Sequence, residues 1–355
     1  MRPIQQLNRF FLLLCAPFLG IMIWLLSIQL SVQIPDFTQS LASVFSINNE
    51  AAALEDTLNQ ASSDAVQTKA IIQKYYTLYE QSTAQISVIL QDAAISAVKP
   101  KVIYDQRITD KLGSPSRQAS SGNIEAQLFS IHENNYDGYA LKVKLKSDKA
   151  IKLVLGKDRL GSSETTLEAV NRYGAIAGIN AGGYADDRNE RRFPLDTTVI
   201  NGKYVNGFFP SANDSIFIGL NKDRQLIGGK FTRQEDLDKL SPLMGATFVP
   251  TLLQSGKKQL IPSKWQTSPA RAARTVVGNY KDDQLLFLIT NGNDESGRSG
   301  ATLAELQDKL QQLGVKDAYN LDGGGSSTLV FDGSVINRPS DGKLRPLPTH
   351  FLFFR

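Results

Sequence analysis

Between Pro35 and Pro100 the chain contains neither glycine nor proline, and no other property of the sequence restricts its fold so severely. A segment of this length with no residue that readily turns or breaks the backbone predicts one long helix. From Leu54 a four–three spacing runs through Leu58, Ala61, Ala65, Thr68, Ile72, Tyr75, Tyr79, Ser82, Ile86, Ile89 and Ala93, and ten of these twelve positions are apolar. That repeat is the seam of a coiled coil. Residues 31–98 are therefore expected to form a stalk whose helix, at roughly 50 residues, would be about 75 Å long. Residues 50–98 are the expected site of homo-oligomer formation. The alternative is a long helix lying on its own globular domain or on another subunit's membrane segment. Pro100, Gly113-Ser114-Pro115 and Ser120-Ser121-Gly122 mark residues 99–122 as a linker.

Ahead of the stalk, residues 10–28 are uncharged and strongly apolar, long enough to cross about 28 Å of hydrocarbon as a helix. Arg2 and Arg9 precede the run, and the next basic residue is Lys69. This asymmetry predicts a cytoplasmic tail (1–9), a single-pass anchor (10–30) in the cell membrane and an extracytoplasmic remainder. A cleaved signal peptide competes, but the small-residue site Ser40-Leu41-Ala42 lies well beyond the apolar run. Cys15, inside that run, is the only cysteine, so the outer portion has no disulfide and no thiol nucleophile. Such a domain suits a bacterial envelope better than a eukaryotic secretory route.

Residues 123–355 suffice for one buried core. Leu141, Val143 and Leu145 alternate with Lys142, Lys144 and Lys146, which predicts a half-exposed strand. Asn201-Gly202 and Asp332-Gly333 predict hairpins. Residues 175–179 and 285–290 are apolar without alternation and predict buried strands, whereas residues 166–173 and 303–313 predict helices, the second stopped by Gly314. Strands dominate without βαβ alternation, so the expected class is α+β with a mixed sheet.

The chemistry concentrates in Asn320-Leu321-Asp322-Gly323-Gly324-Gly325-Ser326-Ser327-Thr328-Leu329. One acid precedes three glycines, whose successive N–H groups in a turn form a seat for an anion. The stretch from 274 to 345 resembles the phosphodiester glycosidase family. The resemblance rests on Arg274-Thr275, Asn291-Gly292, Arg298 with Gly300, Thr302-Leu303-Ala304-Glu305-Leu306, the glycine block and Asn337-Arg338-Pro339. Upstream, Ile179-Asn180-Ala181-Gly182-Gly183-Tyr184 is similar to the family's Asn-Gly-Gly-Phe-Phe element in a looser form, and the likeness extends over roughly residues 124–355. Ala181 and Gly183 depart from that element, and Asn291 stands where many relatives carry Asp.

The resemblance implies hydrolysis of the bond between a sugar's anomeric carbon and a phosphodiester, in envelope or exopolysaccharide material. Glycoside chemistry ordinarily needs two carboxyl groups. A phosphate leaves readily, so the demand shifts toward balancing its charge, with a carboxylate near the anomeric carbon. Asp322 is the expected catalytic carboxylate and Glu305 its expected companion, although Thr302-Leu303-Ala304-Glu305 also reads as a helix capping box. Arg274 and Arg298 suit a bidentate grip on phosphate, with Gly323, Gly324, Gly325 and Ser326 cradling it, Asn180 holding sugar hydroxyls and Asn320 a further substrate-binding residue. Asp186, Asp187 and Asp196 are further loop carboxylates. No Walker loop, HExxH, G-x-S-x-G or recognised metal-ligand spacing occurs, so no cofactor is expected. The net charge of +4 gives no basis for nucleic-acid binding. Two rival expectations stand beside this one: a glycan-binding module without catalysis, and a hydrolase of another glycosidic linkage on the same scaffold.

Overall fold

The computed structural model describes residue 21, residues 46–292 and residues 300–355. The expected membrane anchor and Arg298 lie outside the described residues. No helix among the described residues is long and apolar enough to cross a membrane. Contacts divide the chain into two units, at Leu90 and Gln91.

The long helix forms as Ser46–Leu112 and contains Pro100. The expected linker at 99–122 is thus corrected: helix continues to Leu112, and Arg117–Ser120 is already an edge strand. A proline removes one backbone bond from a helix, but packing beyond it outweighs that loss. Ile108 and Leu112 are buried in the domain core, with Tyr104 half-buried beside them. Lys142 Nζ lies 2.6 Å from Asp105 Oδ1, and Gln284 Nε2 donates to the same oxygen at 2.9 Å. The same contact corrects the half-exposed reading of the Asp137–Leu145 strand, because Lys142 is covered by the helix end. The helix stops at Gly113, whose φ of +89° suits glycine.

The domain is α+β, as expected, and every strand pairing among the described residues is antiparallel, which refines the expected mixed sheet. The largest sheet has eight strands. Its centre is Leu285–Thr290, Thr275–Asn279 and Asp317–Leu321 in that spatial order. Two five-stranded sheets accompany it, one built around Ile216–Asn221 and Pro242–Phe248, the other around Ala177–Asn180 and Thr349–Phe353. Inner faces of all three meet in one apolar core that includes Phe287, Tyr319, Ile218, Ile179 and Phe353. Phe287 and Phe353 join two of the sheets edge to face at 5.3 Å.

The other face of the large sheet is covered by the helix Leu303–Leu313 and by the end of the long helix. Leu285–Thr290 is therefore buried at every residue, as its unbroken apolar run requires. The expected helices form as Thr166–Tyr173 and Leu303–Leu313, each with a capping box and a left-handed glycine stop. Both Asn-Gly and Asp-Gly turns have two consecutive positive φ angles, the geometry of tight hairpins.

Candidate active site

Asp322 follows directly on the central strand Asp317–Leu321, where an antiparallel neighbour on each side fixes the backbone. Its N–H donates to the Ala181 carbonyl at 3.2 Å. Its own carbonyl accepts from Asn180 Nδ2 at 2.6 Å. The other end of that amide, Asn180 Oδ1, accepts from Thr275 Oγ1 at 2.9 Å and from the Thr328 N–H at 3.0 Å. Asn180 is fully buried with both ends of its amide engaged. It pins the two ends of the glycine block and does not extend toward solvent as a sugar contact would.

Asp322 is half-buried, with Oδ2 covered. Oδ1 accepts the Gly323 N–H at 3.0 Å, whereas Oδ2 has no hydrogen-bond partner among the described residues. Burial pushes this carboxyl up to about 6, against the opposing pull of the Ser326 side chain, the Gly323 N–H and the charges of Arg345 and Arg192. A carboxyl poised near neutrality, with one oxygen covered and uncommitted, can hold a proton or present charge to a reacting atom.

The glycine block is a tight turn whose amides serve mainly the protein. Gly324 N–H donates to the Ala273 carbonyl at 2.7 Å, Ser326 N–H to Gly323 at 3.1 Å and Ser327 N–H to Gly324 at 3.3 Å. With Gly323 bonded to Asp322, few of these amides are left for the expected anion seat. The glycines have separate reasons. Gly324 takes φ +63° with open space where a side chain would stand, whereas a side chain on Gly325 would collide with the Asp341 carboxylate and the Arg345 guanidinium. Ser326 is buried and its Oγ accepts from Arg345 Nη1 at 3.2 Å.

Among the described residues, Arg345 is one of two cations whose charge reaches Asp322. It forms an ion pair with Asp341 through Nε, at 3.1 Å, and Nη2, and its Nη1 reaches Tyr184 Oη at 3.4 Å. Arg192 lies over the Tyr184 ring at 4.2 Å and holds Asp186 with two bonds of 2.7 and 2.9 Å. Neither arginine, nor Asp341, stands out in the sequence as a site residue. The signal available was the Arg-rich stretch before Phe193 and the closing Arg345 of the resemblance, and neither shows which way a side chain points.

The residues chosen from sequence divide accordingly. Arg274 is buried with its stem beside Gly323, but its guanidinium donates to the carbonyls of Pro269, Ala270 and Ala301. Burial brings it down to about 10. It braces the backbone and is not aimed at a phosphate. Glu305 closes the capping box with Thr302, accepts from Asn135 at 2.8 Å and pairs with Arg271. Burial alone would raise its carboxyl, but these donors bring it below the usual range. None of its partners is shared with Asp322. Asn320 is buried, donating from Nδ2 to the Val249 carbonyl at 2.6 Å, with Oδ1 unpartnered among the described residues. Asp186 and Asp187 are held by Arg192 and Arg191, and Asp196 accepts from Ser215 Oγ at 2.7 Å.

A family model for phosphodiester glycosidases matches residues 173–354, about half of the chain and the whole of this site. The chain belongs to the phosphodiester glycosidase family. It is similar to N-acetylglucosamine-1-phosphodiester alpha-N-acetylglucosaminidase of Mus musculus, 30% identical over 161 residues, covering 41% of this chain and 30% of that protein. The Bos taurus counterpart is 31% identical over 137 residues, covering 35% and 26%. The chain thus spans under a third of the length of these relatives. In fold, this phosphodiester glycosidase domain resembles the zebrafish N-acetylglucosamine-1-phosphodiester alpha-N-acetylglucosaminidase catalytic domain, described as auto-inhibited by its pro-peptide. The TM-score is 0.55 and the identity 21%, over 68% of this chain and 87% of that one.

Proposed function

We propose that this phosphodiester glycosidase hydrolyses the bond between a sugar's anomeric carbon and a phosphodiester oxygen, and that Asp322 acts at the anomeric carbon. One observation carries this: a carboxyl with one covered, uncommitted oxygen, adjoining Ser326 and lying within the electrostatic reach of Arg345 and Arg192. A water oxygen bonds to the anomeric carbon while the bond to the phosphate oxygen breaks, and its electron pair leaves with the phosphate. The water's second proton ends on the departing phosphate or passes through Asp322. Arg345 and Arg192 balance the leaving charge, the part that Arg274 holds in the sequence-based expectation. Asp341, paired with Arg345 and seated against Gly325, is the second carboxylate of the site.

The apolar run at 10–28, with its flanking arginines, supports a single-pass anchor with the domain outside the cytoplasmic membrane and a substrate in envelope or exopolysaccharide material. The chemistry is tested by sugar release from a synthetic sugar phosphodiester. The full chain should liberate free sugar, and Asp322→Asn should not. A glycan-binding module would bind the compound and leave it intact.

A further inference from the structure

The proposed reaction leaves the long helix unused, and its surface is not that of a helix content to stand in water. In the seam at 54–93 the seven large side chains Leu54, Leu58, Ile72, Tyr75, Tyr79, Ile86 and Ile89 each expose 54–69% of their surface. The opposite face carries Ser63, Gln67, Lys74, Thr77, Gln81 and Gln91, with Ala70, Ala84 and Val88 between them. A helix with one apolar stripe gains most of its stability by burying that stripe.

We propose that residues 54–93 join the same segment of other copies of this chain in a parallel, in-register bundle. The four–three repeat itself specifies the occupant, since only another helix with the same repeat follows the drift of the stripe. Two of the flanking pairs favour the parallel direction and this register. In a parallel, in-register pair, the residue just before each of Leu58, Ala65, Ile72, Tyr79 and Ile86 faces the residue five places later on its neighbour. Asp64 then meets Lys69 of the next copy, and Ile71 meets its Tyr76. Ile71 and Tyr76, exposed at 53% and 63%, thus gain an apolar partner each. An antiparallel pair loses both matches. The seam is about 60 Å long and each strip about 10–12 Å wide, so two copies bury roughly 1,300 Å², within the range of stable interfaces.

Sedimentation of the detergent-solubilised full chain tests this. The wild type should have the protein mass of two or more copies, and Ile72→Asp with Ile86→Asp should bring it to one. Gln67→Asp with Gln81→Asp adds the same charge to the polar face and should leave the assembly intact. In a Cys15→Ser background, mild oxidation should join Ala65→Cys chains and Ala93→Cys chains to themselves, and should not join Thr77→Cys chains. A monomeric wild type overturns the proposal, as does cross-linking that is no better at positions 65 and 93 than at 77.

Discussion

Gly325 and Asp341 compete for one space: the Asp341 carboxylate lies where a side chain on Gly325 would have to stand, with the Arg345 guanidinium beside it. A chain segment that leaves the glycine block after Thr328 returns to seat an ion pair on it. The Ser340 N–H fastens that return to the Gly324 carbonyl at 3.2 Å.

Gly325→Ala is therefore expected to be the damaging glycine substitution. It must displace Asp341 and Arg345, an overpacking that costs about 1–3 kcal/mol, and turnover should fall with it. Gly324→Ala meets open space and carries only the left-handed backbone penalty of about 1–2 kcal/mol. Thermal melts and sugar-release rates of the two variants should rank in that order.

Arg345→Lys and Arg274→Lys should separate function from support. The first keeps charge at the site but loses the fork that spans Asp341, Ser326 and Tyr184. It should lower kcat/KM by about tenfold or more with a small change in Tm. The second breaks bonds to buried carbonyls and should cost about 1–3 kcal/mol of stability, with the smaller loss in turnover. Equal effects on rate would return Arg274 to the reacting centre.

Asp322→Asn should abolish turnover and also stabilise the protein above neutral pH. The folded carboxyl, at about 6, is raised from its unfolded value of 3.8. Its contribution to stability is fully present below the unfolded value and is lost as pH rises through 6. Asparagine does not ionise, so the variant should melt higher than wild type at pH 7.5, with the gap closing toward pH 5. A gap that stays constant with pH would mean the carboxyl is already ionised at no cost.

His350 should act in the opposite sense. It is wholly buried in the strand Thr349–Phe353, with Nδ1 3.1 Å from Thr166 Oγ1 and Nε2 unpartnered among the described residues. Burial brings it down to about 4. Stability from this depressed value is present above 6.5 and is lost as pH falls toward 4. Melts of His350→Gln should show a flatter decline over that window than the wild type.

The sequence displayed whatever depends on local pattern. The long helix across the stretch free of glycine and proline, the Thr302–Glu305 capping box, both hairpin turns and the unbroken apolar strand at Leu285–Thr290 could be read directly. Asp322 could be singled out in the same way, as the acid before three glycines at a strand end. What could not be read depends on segments far apart in the chain. Lys142 looked solvent-facing because alternation says nothing of a helix end arriving to cover it. Arg274 looked available for phosphate because burial was legible but the direction of its guanidinium was not. Arg192, Arg345 and Asp341 reach the site on a short hairpin and a returning loop, and neither announces its destination. Pro100 looked like a stop because its local cost is legible and the packing of Ile108 and Leu112 beyond it is not.

The end of the long helix decides where this protein can be cut. Tyr104, Asp105, Ile108 and Leu112 belong to the body of the glycosidase domain, although they precede its first strand. A fragment starting at residue 123 would bare the apolar surface these residues cover and leave the buried Lys142 ammonium with Gln127, at 3.2 Å, as its remaining partner among those described. Stripping a buried charge of its counter-ion costs about 3–5 kcal/mol, a large share of what a domain has to spare. A fragment that keeps residues 104–112 should stay folded where one starting at residue 123 does not.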